Sequence, residues 1–216
     1  MSDARESMLA RIRGALADVP AAEAAADVAV AREYRRTGEL DAVGRVAMLI
    51  DRLLDYHAEV RRVGPDAVAD AVDRACTRWG LNDVAVPAAL PAGWRPTVAS
   101  AIEDDGLTAT QLDGIDGAVT GCAVAIAQTG TLVLDGEGVC GRRVLTLVPD
   151  HHVCVVTTDQ IVELVPAAIA ALAPAVRERR APVTFISGPS ASSDIELSRV
   201  EGVHGPRHLL VLIVAG

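Results

Sequence analysis

The sequence predicts an α/β fold around a parallel or mostly parallel sheet. A strand-like piece carrying Val60 and Val63, a helix opened by Gly64-Pro65 and running to Trp79, and a strand over 84–86 ended by Pro87 set a β-α-β rhythm. The C-terminal half then offers short β-prone runs at 118–120, 131–134, 144–148, 153–157, 183–186 and 209–214. Most are apolar on both faces, as strands covered by helices are. Finally, 216 residues with 50% apolar content are enough for a self-sufficient core, and 2% aromatics makes that core aliphatic.

The helices follow from spacing. Residues 5–17 place Met8, Leu9, Ile12 and Leu16 on one stripe, with Pro20 as the stop, so an amphipathic helix with a face to dock is expected. The Ala-rich stretch 21–38, with Arg32, Arg35 and Arg36, has little to pack and reads as a mobile arm or a partner-dependent helix. A second helix is expected over 40–57, burying Val43, Val46, Ala47, Ile50, Leu53 and Leu54. Another is expected over 159–172, capped by Asp159 and burying Ile161, Leu164, Val165, Ala168 and Leu172. The division is thus an N-terminal helix and arm, 1–38, and an α/β domain, 39–216. An exposed stripe on the first helix fits a homodimer as well as docking on its own domain.

Composition excludes several chemistries. All 20 basic residues are Arg, so a P-loop, a pyridoxal Schiff base and a lysine base are ruled out. A net charge of -9 and few aromatics argue against a nucleic-acid partner. Cys76, Cys122, Cys140 and Cys154 form no C-x-x-C pair, so neither an iron-sulfur cluster nor a structural zinc is written here, and they read as small buried hydrophobes. With a polar, acidic start and no long apolar run, the chain reads as cytoplasmic, without a membrane span.

Gly136-Glu137-Gly138-Val139-Cys140-Gly141 matches G-x-G-x-x-G, but a strand rather than a helix is expected after it. A glycine-rich hairpin loop is the better reading, with Arg142 and Arg143 as solvated charges or, less often, an anion clamp. His151 and His152, if they begin a strand, face opposite ways and cannot share one metal. His204 and His208 have helical metal-pair spacing, but Gly205-Pro206 breaks the helix, so no metal site is expected. Ser187-Gly188-Pro189-Ser190 precedes Ser193-Asp194-Ile195-Glu196, a capping box for a short helix ended by Gly202. The same loop and helix start form an anion site for a phosphate or carboxylate, and both readings stand. Two Thr-Gly corners, Thr120-Gly121 and Thr129-Gly130-Thr131, bracket apolar runs.

Taken in order, 125–132 (Ala-Ile-Ala-Gln-Thr-Gly-Thr-Leu), 147–152 (Leu-Val-Pro-Asp-His-His), the Ser187 to Glu196 loop and 202–206 (Gly-Val-His-Gly-Pro) resemble the LUD-domain, lactate-utilization protein C family. The resemblance implies a three-layer α/β fold similar to the sugar-phosphate isomerase, glucosamine-phosphate deaminase and CoA-transferase group. It also implies a non-cluster subunit of a three-protein system that oxidises L-lactate to pyruvate, with iron-sulfur clusters in the sister subunits. Gln128 stands where the family often has Glu, and a neutral amide cannot act there as a carboxylate base.

The alternative is a stand-alone enzyme or sensor for a hydroxy acid or sugar phosphate. There His204 is the neutral-pH acid or base, with Asp194 orienting it. Thr129, Gly130, Thr131, Gly188, Ser190, Ser193, Glu196 and Arg207 bind the anion, Arg207 as counter-charge.

Overall fold

The computed structural model describes residues 2–20, 29–193, 199–201 and 205–215; of these, the side chains at 2–3, 191–193 and 199–201 are not described. Two compact units divide the chain, 1–34 and 35–216. In the first, helix α1 (Ser2–Ala15) leaves Met8, Ile12 and Leu16 exposed. Residues 21–28 of the expected arm lie outside the described residues.

The second unit opens with helix α2 (Ala42–Asp55), started by Asp41, whose carboxylate accepts from the Gly44 amide. Strand β1 (Glu59–Val63), helix α3 (Val68–Trp79), β2 (Asp83–Pro87) and β3 (Ser100–Asp104) follow, then helix α4 (Ala109–Asp113) and β4 (Gly117–Gly121). A hairpin of β5 (Val124–Ile126) and β6 (Thr131–Leu134) leads to β7 (His151–Thr157), β8 (Ile161–Val162) and helix α5 (Val165–Arg179). Next come β9 (Thr184–Ile186), β10 (Ala191–Ser193), β11 (Arg199–Glu201) and β12 (His208–Val214).

Six strands form a wholly parallel sheet in the order β1-β12-β7-β4-β2-β3. Its two faces are separate apolar cores. On one, Val84, Val86, Val119, Val153, Val155, Leu210 and Leu212 pack against Val68, Ala71, Val72 and Cys76 of α3. On the other, Cys154, Val156, Val211 and Ile213 meet Val46, Leu49 and Leu53 of α2 together with Ala125, Leu132 and Ile161 of a second sheet. That second sheet, β8-β5-β6-β9, is mixed, and α5 covers its far face through Ala168 and Leu172. The layers are therefore α3, the parallel sheet, and then α2 beside the small sheet. Leu49 and Leu53 are fully buried, so truncating either to Ala would cost about 2–5 kcal/mol.

Several local expectations are corrected. The buried stripe of α2 is Val46, Leu49 and Leu53, while Val43 and Leu54 are exposed. The run 144–148 is not a strand: residues 143–146 form a 3-10 turn that buries Leu145 against Ala85, Leu112 and Ile115. With no strand after it, the glycine segment is no hairpin loop either, and Gly138–Cys140 is itself a 3-10 turn. Asp159 caps no long helix, since α5 starts at Val165 after β8, with Pro166 in its first turn. The helix expected from Ser193 to Gly202 is replaced at its ends by β10 and β11, an antiparallel pair, and 194–198 lie outside the described residues.

Candidate functional site

The Thr-Gly corner is assembled by the small sheet. After β5, the Ala127 and Gln128 amides donate to the Val162 and Glu163 carbonyls at 2.8 and 3.0 Å, which fixes the turn. Gly130 then takes φ +59° with α2 pressed on it: a Cβ there would lie 2.7 Å from the Arg52 Cβ. Register between β6 and β9 pairs Leu132 with Ile186 and so sets Ser187 beside Thr131. The result is a chain of hydroxyls, with Thr131 Oγ1 2.7 Å from Thr129 Oγ1 and 2.8 Å from Ser187 Oγ. Gly188, at φ +83°, rests on Tyr56 just after α2. The consecutive Thr129, Gly130 and Thr131 and the distant Gly188 thus share one place, and Ser187 joins them.

Ser190 lies three residues on, and its amide donates to the Pro206 carbonyl at 2.8 Å, tying this loop to the segment before β12. Beside it, the Arg143 guanidinium donates to the Thr146 carbonyl and hydroxyl at 2.8 and 2.9 Å. Arg143 is half-buried, and among the described residues no carboxylate pairs with it. Burial lowers its pKa. Its charge reaches fully buried His152, whose Nε2 is 2.8 Å from Thr120 Oγ1. Burial, with Arg143 behind it, pushes His152 down to about 4, so the ring is neutral at pH 7.

Arg142 and Arg207, the other arginines weighed for anion binding, are committed. Arg142 forms a two-pronged ion pair with Asp104, a carboxylate otherwise sealed from water. Arg207 grips both oxygens of Asp150 at 2.6 and 2.7 Å and holds that carboxyl below its ordinary range. Asp194, Glu196 and His204 lie outside the described residues, as does the Ser193 side chain. The neighbourhood of Arg143 was legible only as the lesser option for the Arg142-Arg143 pair.

The glycine-rich segment faces a cleft of about 560 Å³ whose opposite wall is the C-terminal half of α5, with Ala171, Ala175 and Arg179. A pyrophosphate site needs the amide end of a helix there, so the dinucleotide motif has no structural counterpart. All four cysteines are free and buried. Cys76 sits in the α3 core, where burial raises its thiol to about 11. Burial likewise lifts Cys140 to about 12. Cys122 lies against Cys154, and that hydrogen bond together with burial holds it well above the ordinary thiol range. Such thiols are poor thiolate ligands and pack as apolar groups.

The hydroxyl corner, the Arg143 turn and the lead-in to β12 all fall within residues 91–214, which match the LUD domain family model. The chain belongs to the LUD domain family. A relative described as lactate utilization protein C, from Deinococcus radiodurans, is 48% identical over 169 residues, 76% of each chain. Lactate utilization protein C 1 of Bacillus mycoides is 36% identical over 99 residues, 44% of this chain and 42% of the relative. A crystal structure of a DUF162 family protein, also from Deinococcus radiodurans, superposes with a TM-score of 0.70 at 37% identity, covering 82% of this chain and 99% of that one. The LUD match starts before β3, so α2, which braces the corner, precedes it.

Proposed function

We propose that this LUD-domain chain is a non-cluster subunit of an iron-sulfur system that oxidises L-lactate to pyruvate, acting in assembly or in substrate handling. The observation that carries this reading is the 48% identity, over three quarters of both chains, to a protein named for lactate utilization. The buried cysteines are consistent with it: Cys76 lies on the opposite face of the main sheet from Cys122 and Cys154, so they do not converge on a cluster. The iron-sulfur clusters belong, in this reading, to partner subunits. No helix among the described residues is long and apolar enough to cross a membrane. In this reading the chain and its partners work together in the cytoplasm.

Substrate handling centres on Arg143. A half-buried guanidinium without a carboxylate of its own is a counter-charge for a small carboxylate, and two or more nearby hydroxyls can hold the second oxygen or an α-hydroxyl. The Thr146 hydroxyl, bonded to Arg143, and Ser190, which meets the Thr146 segment at Gly205, are the groups for that role, and the Thr129, Thr131 and Ser187 hydroxyls are further candidates for the anion. His204 and Asp194 retain the proton-transfer and orienting roles if the chain itself does chemistry, which is the reading of a stand-alone hydroxy-acid or sugar-phosphate enzyme.

The test is lactate-dependent reduction of an artificial electron acceptor by the anaerobically purified iron-sulfur partners, with and without this chain. Activity that requires the chain supports the subunit role, and R143M then lowers it at least tenfold. Activity indifferent to the chain overturns the subunit role and leaves a metabolite screen by thermal shift to decide the stand-alone one.

A further inference from the structure

At the other face of the same strand ends, a second constellation forms from residues that no spacing rule connects. Strands β7 and β12 are parallel and in register at their first residues, His151 opposite His208. Both side chains therefore leave the sheet on the same side, and their rings stack with centroids 4.7 Å apart and planes 15° apart. Trp79 at the end of α3 closes one side, 5.0 Å from the His151 ring and 6.1 Å from the His208 ring. Asp150, the residue before β7, adds a carboxylate. One ligand atom from each of Asp150, His151 and His208 lies within 4.8 Å of the others.

We infer that Asp150, His151 and His208 form a binding site for a divalent transition-metal ion of the zinc class. Three features support it. His151 Nδ1 is 3.0 Å from the Asp116 carbonyl, an arrangement that puts the proton on Nδ1 and leaves the Nε2 lone pair free, as in metal-bound histidines with a backbone acceptor behind them. The cleft that Asp150 and His151 line, about 760 Å³, also carries Asp113 and Asp116 against the single cation Arg207, among the described residues, so its field favours a cation. Two imidazoles and one carboxylate are a donor set suited to zinc, cobalt or iron(II), and three protein ligands leave positions open toward the cleft.

Ligand atoms around a tetrahedral zinc sit about 3.3 Å apart, so small side-chain rotations bring the present atoms into range. Arg207 does not block the site: Asp150 Oδ1 accepts from both the guanidinium and the Arg207 amide, but Oδ2 accepts only from the guanidinium and keeps a lone pair.

The experiment is titration of the tag-free, chelator-treated full chain with Co²⁺, followed by visible absorption and by competition with Zn²⁺. The expected result is one equivalent bound with ligand-field bands of an imidazole site. H208A, a change at an exposed strand start, and H151A each weaken binding at least about a hundredfold, and D150N weakens it about tenfold. Circular dichroism confirms that each variant folds. Absence of saturable one-equivalent binding, or its retention in H208A or H151A, overturns the assignment.

Discussion

His152 Nε2 and Thr120 Oγ1 meet at 2.8 Å in the interior, joining neighbouring strands β7 and β4 beneath the small sheet. The imidazole is held neutral there, because burial and the Arg143 charge place its folded pKa at about 4. Unfolded, the group titrates near 6.5. Between these values the unfolded chain binds more protons, so stability falls as pH drops from about 6.5 towards 4, by roughly 3 kcal/mol in all. Urea denaturation at pH 7 and pH 5 is expected to show this loss in the wild type. H152L should be much flatter across the window, and equal slopes in both proteins would exclude His152 as the source.

Arg143 is tied to the same titration. Replacing it with Met removes a secondary cause of the depression, so the His152 pKa rises while remaining below the ordinary value, since burial is the larger cause. The His152 Hε1 resonance followed against pH in wild type and R143M reads this directly. R143M should also retain the fold, because the guanidinium gives up only contacts to Thr146 and is itself desolvated.

Gly130 and Gly80 separate conformational strain from crowding. Both have positive φ, +59° and +67°, but only Gly130 has a neighbour where a Cβ would go. G80A is expected to cost about 1 kcal/mol from the left-handed backbone alone, and G130A about 3 kcal/mol once the clash with Arg52 is added. Denaturant midpoints of the two variants check the order.

The Arg142–Asp104 pair is asymmetric: the carboxylate is almost fully covered and the guanidinium is half open to water. R142A leaves Asp104 with only the Gly106 and Leu107 amides, and a loss of about 1–2 kcal/mol at neutral pH is expected after allowing for solvent screening at the arginine. Arg142 holds the Asp104 carboxyl below its ordinary range, so this contribution is present above the unfolded value and is lost as pH falls through the folded one. Thermal melts of R142A and wild type should converge at strongly acidic pH.

The strands legible in the sequence are those buried on both faces, β2, β4, β7 and β12, where valine and leucine runs end at Gly, Pro or a polar residue. Strand β3, Ser-Ala-Ile-Glu-Asp, is an edge strand with no fully buried residue, and nothing in its composition marks it. The run 144–148 carried a misleading signal: Val144, Leu145 and Val148 also fit a helical turn, and packing against Leu112 and Ile115 chose the turn. The start of α5 was readable from Pro166, a first-turn residue, but the cap-like Asp159 competed with it. In α2, two neighbouring stripes were equally apolar, and only contact with the sheets selects Leu49 over Leu54.

Of the candidate site, the Thr129 corner and the Gly188 loop were visible as motifs because glycine and hydroxyl residues cluster there. Their union through Thr131 and Ser187 was not, since it depends on β6–β9 register. The same limit hides His151 beside His208, residues 57 positions apart in the chain and adjacent only because β7 and β12 align.

Glu163 touches two ends of one arrangement. Its carbonyl accepts from Gln128 in the Thr-Gly corner, while its carboxylate accepts from the Leu40 amide just ahead of α2 at 2.7 Å. The far end of α2 comes back to the corner through Arg52 against Gly130 and Tyr56 against Gly188. The helix is thus a strut clamped at both ends to the loop it supports. A transplanted 127–131 segment would keep its residues and lose its shape, because the mould that shapes it lies in a part of the chain that carries none of the hydroxyls.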